Sequence, residues 1–317
     1  MTAAMGARVP VTLITGYLGA GKTTLLRRIA AQSRMRLAMV VNEFGEIAVD
    51  SRLVQGKNIT MAELAGGCVC CSLSGEFSAA VEELVRAAAP EWIVVETTGA
   101  AEPAALAYDI RENMPAVRLD SIVTVVDADA LVRFQGLGQT GREQIEIADV
   151  LIMNKADLAG ESMSDALEAA RALNPRAAVI EAERCGIDTG ALFGIVPAEP
   201  GGAGGAKPHP RKAHESAFSH FGYAADAVLE HDGLIRLFES LPPGIYRAKG
   251  FIRTGKGTFL LNYVAGRCEL EDAASAGGGS VGAGMLGLVF IGERAADAEP
   301  MLRAKLDALR SAGAGGI

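Results

Sequence analysis

The stretch from Val9 to Thr24 reads VPVTLITGYLGAGKTT, and its order decides the fold. Val11 to Thr15 is a β-branched apolar run, Gly16 to Thr23 spells GxxxxGKT, and Thr24 to Ala31 continues in leucine, arginine and alanine. Strand, glycine-rich loop and helix in that order is the context in which this pattern forms a phosphate cradle. Gly16, Gly19 and Gly21 permit backbone angles that let successive amides converge on phosphate oxygens, with Ala20 and Thr24 completing the run. The following helix adds the positive end of its dipole. Lys22 supplies a compact charge for the β- and γ-phosphates, and the Thr23 hydroxyl can ligate the Mg2+ that neutralises them. A plain glycine-rich turn would leave Lys22 and Thr23 unexplained.

Working outward, the same alternation recurs. Leu37 to Val41, Ile59 to Leu64, Trp92 to Val95, Ile122 to Val126, Val150 to Met153 and Ala178 to Glu181 read as short apolar strands. Helical spacing falls at Ser74 to Ala89, Arg142 to Ala148 and Ser164 to Leu173. The expected fold class is therefore α/β: a P-loop NTPase with a mainly parallel sheet covered by helices, binding ligands at the carboxyl ends of its strands. Pro197 to Pro210 (PAEPGGAGGAKPHP) has no apolar periodicity and reads as a linker. The expected division is 1–196 for the P-loop domain, 197–212 for the linker and 213–317 for a smaller α+β domain. In that second domain Tyr246 to Arg253 and Thr258 to Val264 pair around a glycine-containing turn, Leu286 to Ile291 adds a strand, and Pro300 to Leu309 closes as a helix.

Composition narrows the function classes. A net charge of −8 over 317 residues gives no basic surface for nucleic acid or anionic lipid, so neither is an expected partner. No apolar run reaches the 18 or so residues of a membrane span, and the N-terminal MTAAMGARVP lacks a leader core. The expected compartment is the cytoplasm. Of five cysteines, three crowd into Cys68 to Cys71, which suits thiolates or metal ligation better than a disulfide framework.

Two further strand ends carry chemistry. Asn154-Lys155-Ala156-Asp157 fits NKxD: Asp157 can accept both hydrogen bonds of the guanine N–H edge, which adenine cannot supply, and the Lys155 stem can lie along the base. The nucleotide is thus expected to be GTP. Glu96, at the end of an apolar strand, can reach Mg2+, and the Gly99 amide can meet the γ-phosphate. Asp127 has the same placement with less support and is assigned a structural role. Cys68, Cys70 and Cys71 form CxCC in a glycine-flanked loop, and soft thiolates at this density select zinc, copper(I) or another thiophilic ion. Adjacent Cys70 and Cys71 point apart unless the loop bends, so a further ligand is needed and Glu46 is a candidate. A redox thiol group or small buried hydrophobes remain the competing readings.

Taken together, GYLGAGKTT at 16–24, NEFGE at 42–46, GCVCC at 67–71, ETTG at 96–99 and NKAD at 154–157 closely resemble the motifs of the CobW-type family of GTPases, relatives of the urease and hydrogenase nickel-insertion GTPases. The likeness is strong from Pro10 to about Val196 and looser in the C-terminal domain, through Tyr246 to Gly250 and Leu288 to Ile291. The resemblance implies metal-responsive GTP hydrolysis coupled to delivery of zinc, cobalt or a related ion to a client metalloprotein. A working hypothesis for that coupling is that NEFGE and GCVCC are loops facing the nucleotide that sense the γ-phosphate, and a nucleotide- or metal-dependent homodimer is a further expected partnership. Three departures stand out. Val41 occupies a position where some relatives place a metal-binding glutamate. Long histidine runs are absent, although His209, His214, His220 and His231 cluster in or just after the linker. Trp92 is the single tryptophan, whereas the family often has one beside the C-terminal Lys-Gly segment. A small-molecule kinase on the same cradle, or a GTP-switched interaction module without catalysis, are the alternative readings.

Overall fold

The computed structural model describes residues 8–41, 58–63, 74–97, 103–133, 138–193, 219–225, 227–242, 244–273, 286–292 and 295–310. These fall into two compact units, divided between Gly186 and Ile187. The first unit carries β1 (Val9–Thr15), α1 (Lys22–Gln32), β2 (Leu37–Val41), β3 (Ile59–Glu63), α2 (Ser74–Ala88), β4 (Trp92–Glu96) and α3 (Pro103–Glu112). It continues with β5 (Val117–Asp127), α4 (Ala128–Arg133), α5 (Gly138–Glu146), β6 (Val150–Asn154), α6 (Ala156–Ala159), α7 (Met163–Leu173) and β7 (Ala178–Ala182).

Its seven strands lie in the order β3-β2-β4-β1-β5-β6-β7, all parallel. Every residue of β2 and β6 is buried. Since alternate side chains of a strand point to opposite faces, both faces are covered, which is why these strands read as unbroken apolar runs. Phe77, Val81 and Leu84 of α2 and Leu106 and Ile110 of α3 pack with Val11, Leu13, Val40 and Val95 in one cluster. Leu131, Ile145, Ala166 and Ala170 pack with Val126, Leu151 and Met153 in another. Each fully buried Val, Leu, Ile, Phe or Met side chain among them contributes about 1.5–3 kcal/mol. The chain leaves β1 toward β2 on one side of the sheet and later fills the other side with β5 to β7. The loop after β1 therefore sits at the switch point, where an open α/β sheet leaves a crevice.

β5 is longer than its apolar core suggests. It starts at Val117, and Arg118 and Asp120 interrupt the hydrophobic pattern. Both are buried: the register with β1 shifts between Val11 and Thr12, leaving Asp120 as the extra residue, and Arg118 Nη1 lies 3.5 Å from its Oδ1. Pro10 is tolerated in a central strand because β4 begins to pair only at Val11. Among the described residues no helix is long and apolar enough to cross a membrane.

The second unit contains α8 (Thr189–Phe193), β8 (Ser219–Ala224), β9 (Val228–Leu229), α9 (His231–Glu239), β10 (Ile245–Thr254), β11 (Gly257–Val264), β12 (Arg267–Asp272), β13 (Gly287–Gly292) and α10 (Ala295–Ala308). The order β12-β11-β10-β13-β8 is antiparallel, with β9 added in parallel to the end of β10. The expected hairpin is β10–β11, with Thr254 opposite Gly257 across a two-residue turn. Phe221 stacks on Phe290 at 4.8 Å, and Phe238 lies 5.9 Å from Phe290, forming the centre of this core. β12 escapes a hydrophobic reading because as an outer strand it inserts only Cys268 and Leu270 against the core. The last helix begins at Ala295, five residues before the proline expected to open it. Ala295 is wholly buried, and the Ala296 amide donates to Ser219 Oγ at 3.0 Å.

Candidate functional site

The loop between β1 and α1 is folded as a tight cradle. Gly16, Gly19 and Gly21 have φ of 134°, 78° and 115°, angles that L side chains resist. At Gly16 close approach adds to conformation: a Cβ there would lie 2.2 Å from the Val125 carbonyl oxygen of β5. The Ala20 amide donates to Tyr17 O at 3.1 Å, closing the turn. Gly21 is the N-cap of α1, which has no side-chain cap and no acidic residue in its first turn. The helix thus presents free amides and an uncompensated positive end, the arrangement that accepts an anion.

Lys22 and Thr23 open that helix. Lys22 is 8% exposed, and its Nζ donates to Gly16 O at 2.7 Å and Tyr17 O at 3.3 Å, which holds the ammonium over the loop. Burial lowers its pKa, and the Glu96 carboxylate partly offsets that. A charge held short of full solvation is one that a phosphate can neutralise with little loss of hydration. Glu96 ends β4 opposite Ile14 of β1. The next residue, Thr97, fastens this strand end to the cradle through its amide to Ile14 O and its hydroxyl to Thr15 Oγ1, both at 2.9 Å.

Asn154 joins the cradle to the NKAD segment. It closes β6, is 3% exposed, and donates from Nδ2 to Ala20 O at 2.7 Å while its Oδ1 accepts from the Cys185 amide at 2.8 Å. One amide side chain thereby ties three strand ends: the loop after β1, β6 itself and the loop after β7. Lys155 follows in the left-handed region, at φ 60° and ψ 36°, and its Nζ lies 2.6 Å from Asp127 Oδ2. Asp157 lies on the first turn of α6 with its side chain exposed, open to a ligand edge.

Two participants were not singled out by sequence. Cys185, isolated from the thiol cluster, donates from its buried sulfur to Gly21 O at 3.4 Å; burial pushes its thiol up to about 12, so it acts as a hydrogen-bond donor. Arg28 of α1 donates from Nε to Arg184 O at 2.8 Å. Arg184 and Cys185 both have positive φ, 49° and 51°, so this loop after β7 is held in shape by partners from α1 and β6. The rule that ligands gather at strand ends pointed to this loop; the residue types did not.

Glu46, Cys68, Cys70, Cys71 and Gly99 lie outside the described residues, as do His209 and His214. His220 is exposed on β8, and His231 opens α9 with Nδ1 3.2 Å from Thr254 Oγ1. Among the described residues no cluster of three or more His, Cys, Asp or Glu is placed to hold a metal ion.

Comparison with known proteins follows the same division. The family model described as CobW/HypB/UreG, nucleotide-binding domain, matches residues 10–181, and that of the cobalamin synthesis protein cobW C-terminal domain matches residues 218–310. The chain is 34% identical over 227 residues to the zinc chaperone CobW of Pseudomonas aeruginosa, covering 60% of each chain. It is 34% identical over 194 residues to the zinc chaperone YjiA of Escherichia coli, 58% of this chain and 61% of that one. With the zinc-regulated GTPase metalloprotein activator 1 of Saccharomyces cerevisiae it shares 32% over 178 residues, 47% of this chain and 42% of that one. The chain thus spans about three fifths of the length of these two bacterial relatives.

Proposed function

The chain belongs to the CobW/HypB/UreG family, whose nucleotide-binding model covers more than half of it, and from that premise we propose that it is a GTPase that couples hydrolysis of GTP to GDP and phosphate with delivery of zinc, or cobalt, to a client metalloprotein. The observation that carries this reading is the Asn154 clip, whose side chain bonds to Ala20 O and to the Cys185 amide and so ties the NKAD segment to the β1–α1 loop at the sheet's switch point. The amides of 16–24 and the Lys22 ammonium would receive the phosphates, and Asp157 would read the guanine edge. The names of the relatives, zinc chaperones and a zinc-regulated GTPase activator, support zinc as the cargo.

The Thr23 hydroxyl and the Glu96 carboxylate form a hard oxygen donor pair suited to Mg2+. Their fit is supported by the register, which sets Glu96 at the end of β4 opposite Ile14, on the strand from which the loop to Lys22 and Thr23 departs. Mg2+, when bound, would offset charge on the β- and γ-phosphate oxygens. Lys22 would orient those phosphates and stabilise charge gathering on the γ-phosphoryl group as its bond to GDP breaks. The Gly99 amide would receive a γ-oxygen. Cargo metal would be held by Cys68, Cys70 and Cys71, with Glu46 as a fourth donor, in a loop that follows the nucleotide state. Releasing an ion that is almost wholly retained requires about 5.5 kcal/mol of differential binding between the GTP and GDP states. Docking of the client, and homodimerisation under nucleotide control, would take place in the cytoplasm.

The test is turnover of GTP and ATP with and without zinc or cobalt, alongside zinc affinity of GTP- and GDP-loaded protein. GTP-selective, metal-responsive turnover and a large affinity difference are expected. Equal use of ATP, or equal zinc affinity in both loaded states, rejects the reading.

A further inference from the structure

Asp127 is the last residue of β5 and stands in register with Asn154 on β6. Its two oxygens have separate partners. Oδ1 accepts from the Ala130 amide at 3.0 Å, capping α4, and Oδ2 holds Lys155 Nζ at 2.6 Å. Lys155 is therefore fixed at both ends: its backbone is in the left-handed region, and its ammonium is bound by a carboxylate on the neighbouring strand. A lysine stem held in this way is a short apolar ledge and no longer a mobile chain. Asn154, immediately before it, is bonded to the phosphate loop, so the ledge stands at a set distance from the phosphate cradle.

We propose that Asp127 is a positioning residue for purine recognition: by anchoring the Lys155 ammonium it turns the lysine side chain into one wall of the base slot. This rests on the guanine-nucleotide reading above. A free lysine would lose rotamer freedom when a base stacks on it; the ion pair removes that freedom before the nucleotide arrives, and preorganisation of this kind strengthens binding. The pair is largely shielded, with side-chain exposures of 33% and 14%, so salt screens it only partly.

The experiment uses the full chain and fluorescent N-methylanthraniloyl-GDP, displaced by GDP, ADP or inorganic tripolyphosphate. It compares wild type, Asp127→Asn, Lys155→Met and the double variant. Asparagine keeps an oxygen for the α4 cap, and methionine keeps the apolar stem without the charge. Wild type should prefer GDP to ADP. Each single variant should weaken GDP about tenfold while tripolyphosphate shifts less than about twofold, and the double variant should lose no more than either single one. Equal losses for GDP and tripolyphosphate, or additive losses in the double variant, overturn the proposal. Wild type that binds ADP as tightly as GDP overturns the guanine reading itself, without any variant being needed. Should Asp127→Asn fail to fold, Lys155→Met decides: unchanged GDP affinity there overturns the proposal.

Discussion

Replacing Asn154 is the most direct test of how the site is assembled. Alanine at this position removes a side chain that is 3% exposed and strips Ala20 O and the Cys185 amide of their partner. A buried backbone group left unpaired costs about 1–3 kcal/mol, so two of them, relieved in part by water entering the gap, should cost about 2–4 kcal/mol. Aspartate is the sharper probe. It keeps the shape and the oxygen facing Cys185, but it turns the donor facing Ala20 O into an acceptor and adds a negative charge beside the phosphate loop. Its stability loss should match that of alanine, while its GDP affinity should fall further. The assay is built into the chain: Trp92, the single tryptophan, lies on β4 with its Nε1 donating to Thr12 Oγ1 at 2.9 Å, so its fluorescence reports unfolding of the first unit. At a urea dependence of about 1–3 kcal/mol per molar, the midpoint should drop by about 1–2 M. An alanine variant within about 0.3 M of wild type, with GDP affinity unchanged, would refute the clip as the element that builds the site.

Three other perturbations have defined outcomes. Gly16→Ala combines a φ of 134° with a Cβ 2.2 Å from Val125 O, and since β5 cannot retreat the variant should lose about 2–4 kcal/mol and nearly all nucleotide affinity, read by the same urea titration and by GDP binding. Asp120→Asn removes the charge 3.5 Å from the buried Arg118 guanidinium and should cost about 3–5 kcal/mol in thermal unfolding, with the double change to apolar residues costing less. The Cys185 thiol stays protonated to about 12 in the folded chain but ionises near 9 when unfolded; above pH 9 the unfolded state binds fewer protons, so stability is intact below pH 9 and falls as pH rises toward 12. Cys185→Ala should flatten that alkaline decline, and urea titrations from pH 8 to pH 11 showing the same slope as wild type would reject this assignment.

The tight β1–α1 loop was legible because three local requirements coincide at Gly16 to Thr23: a strand before, positive φ at glycines and a helix after. β2, β4 and β6 were equally plain, since strands buried on both faces write themselves as unbroken apolar runs. What sequence hid was set by partners distant in the chain. Arg118 and Asp120 look like a break in a strand until a bulge against β1 pairs them with each other inside the core. Asp127 looks structural until β6 brings Lys155 to its carboxylate. Cys185 carries no local mark at all; its role comes from an amide and a sulfur that meet Asn154 and Gly21, 31 and 164 residues away. Charge in a strand is ambiguous from sequence, because burial with a counter-ion and exposure at an edge look alike.

The outer strands of the C-terminal sheet bear on how anything can be recruited to it. Along β12, Glu269, Glu271 and Asp272 set acidic side chains at one border, with Arg267 of the same strand 3.7 Å from Glu269, and a charged border of this kind discourages pairing with a further strand. Along β8 the opposite border has its Gly222 carbonyl already taken by Arg303 Nη2 at 2.6 Å. Among the described residues, one border thus carries charged side chains and the other a carbonyl bonded to a side chain, both features that disfavour addition of a further strand. Recognition at this sheet would then rest on the shape and charge of side chains more than on borrowed backbone pairing.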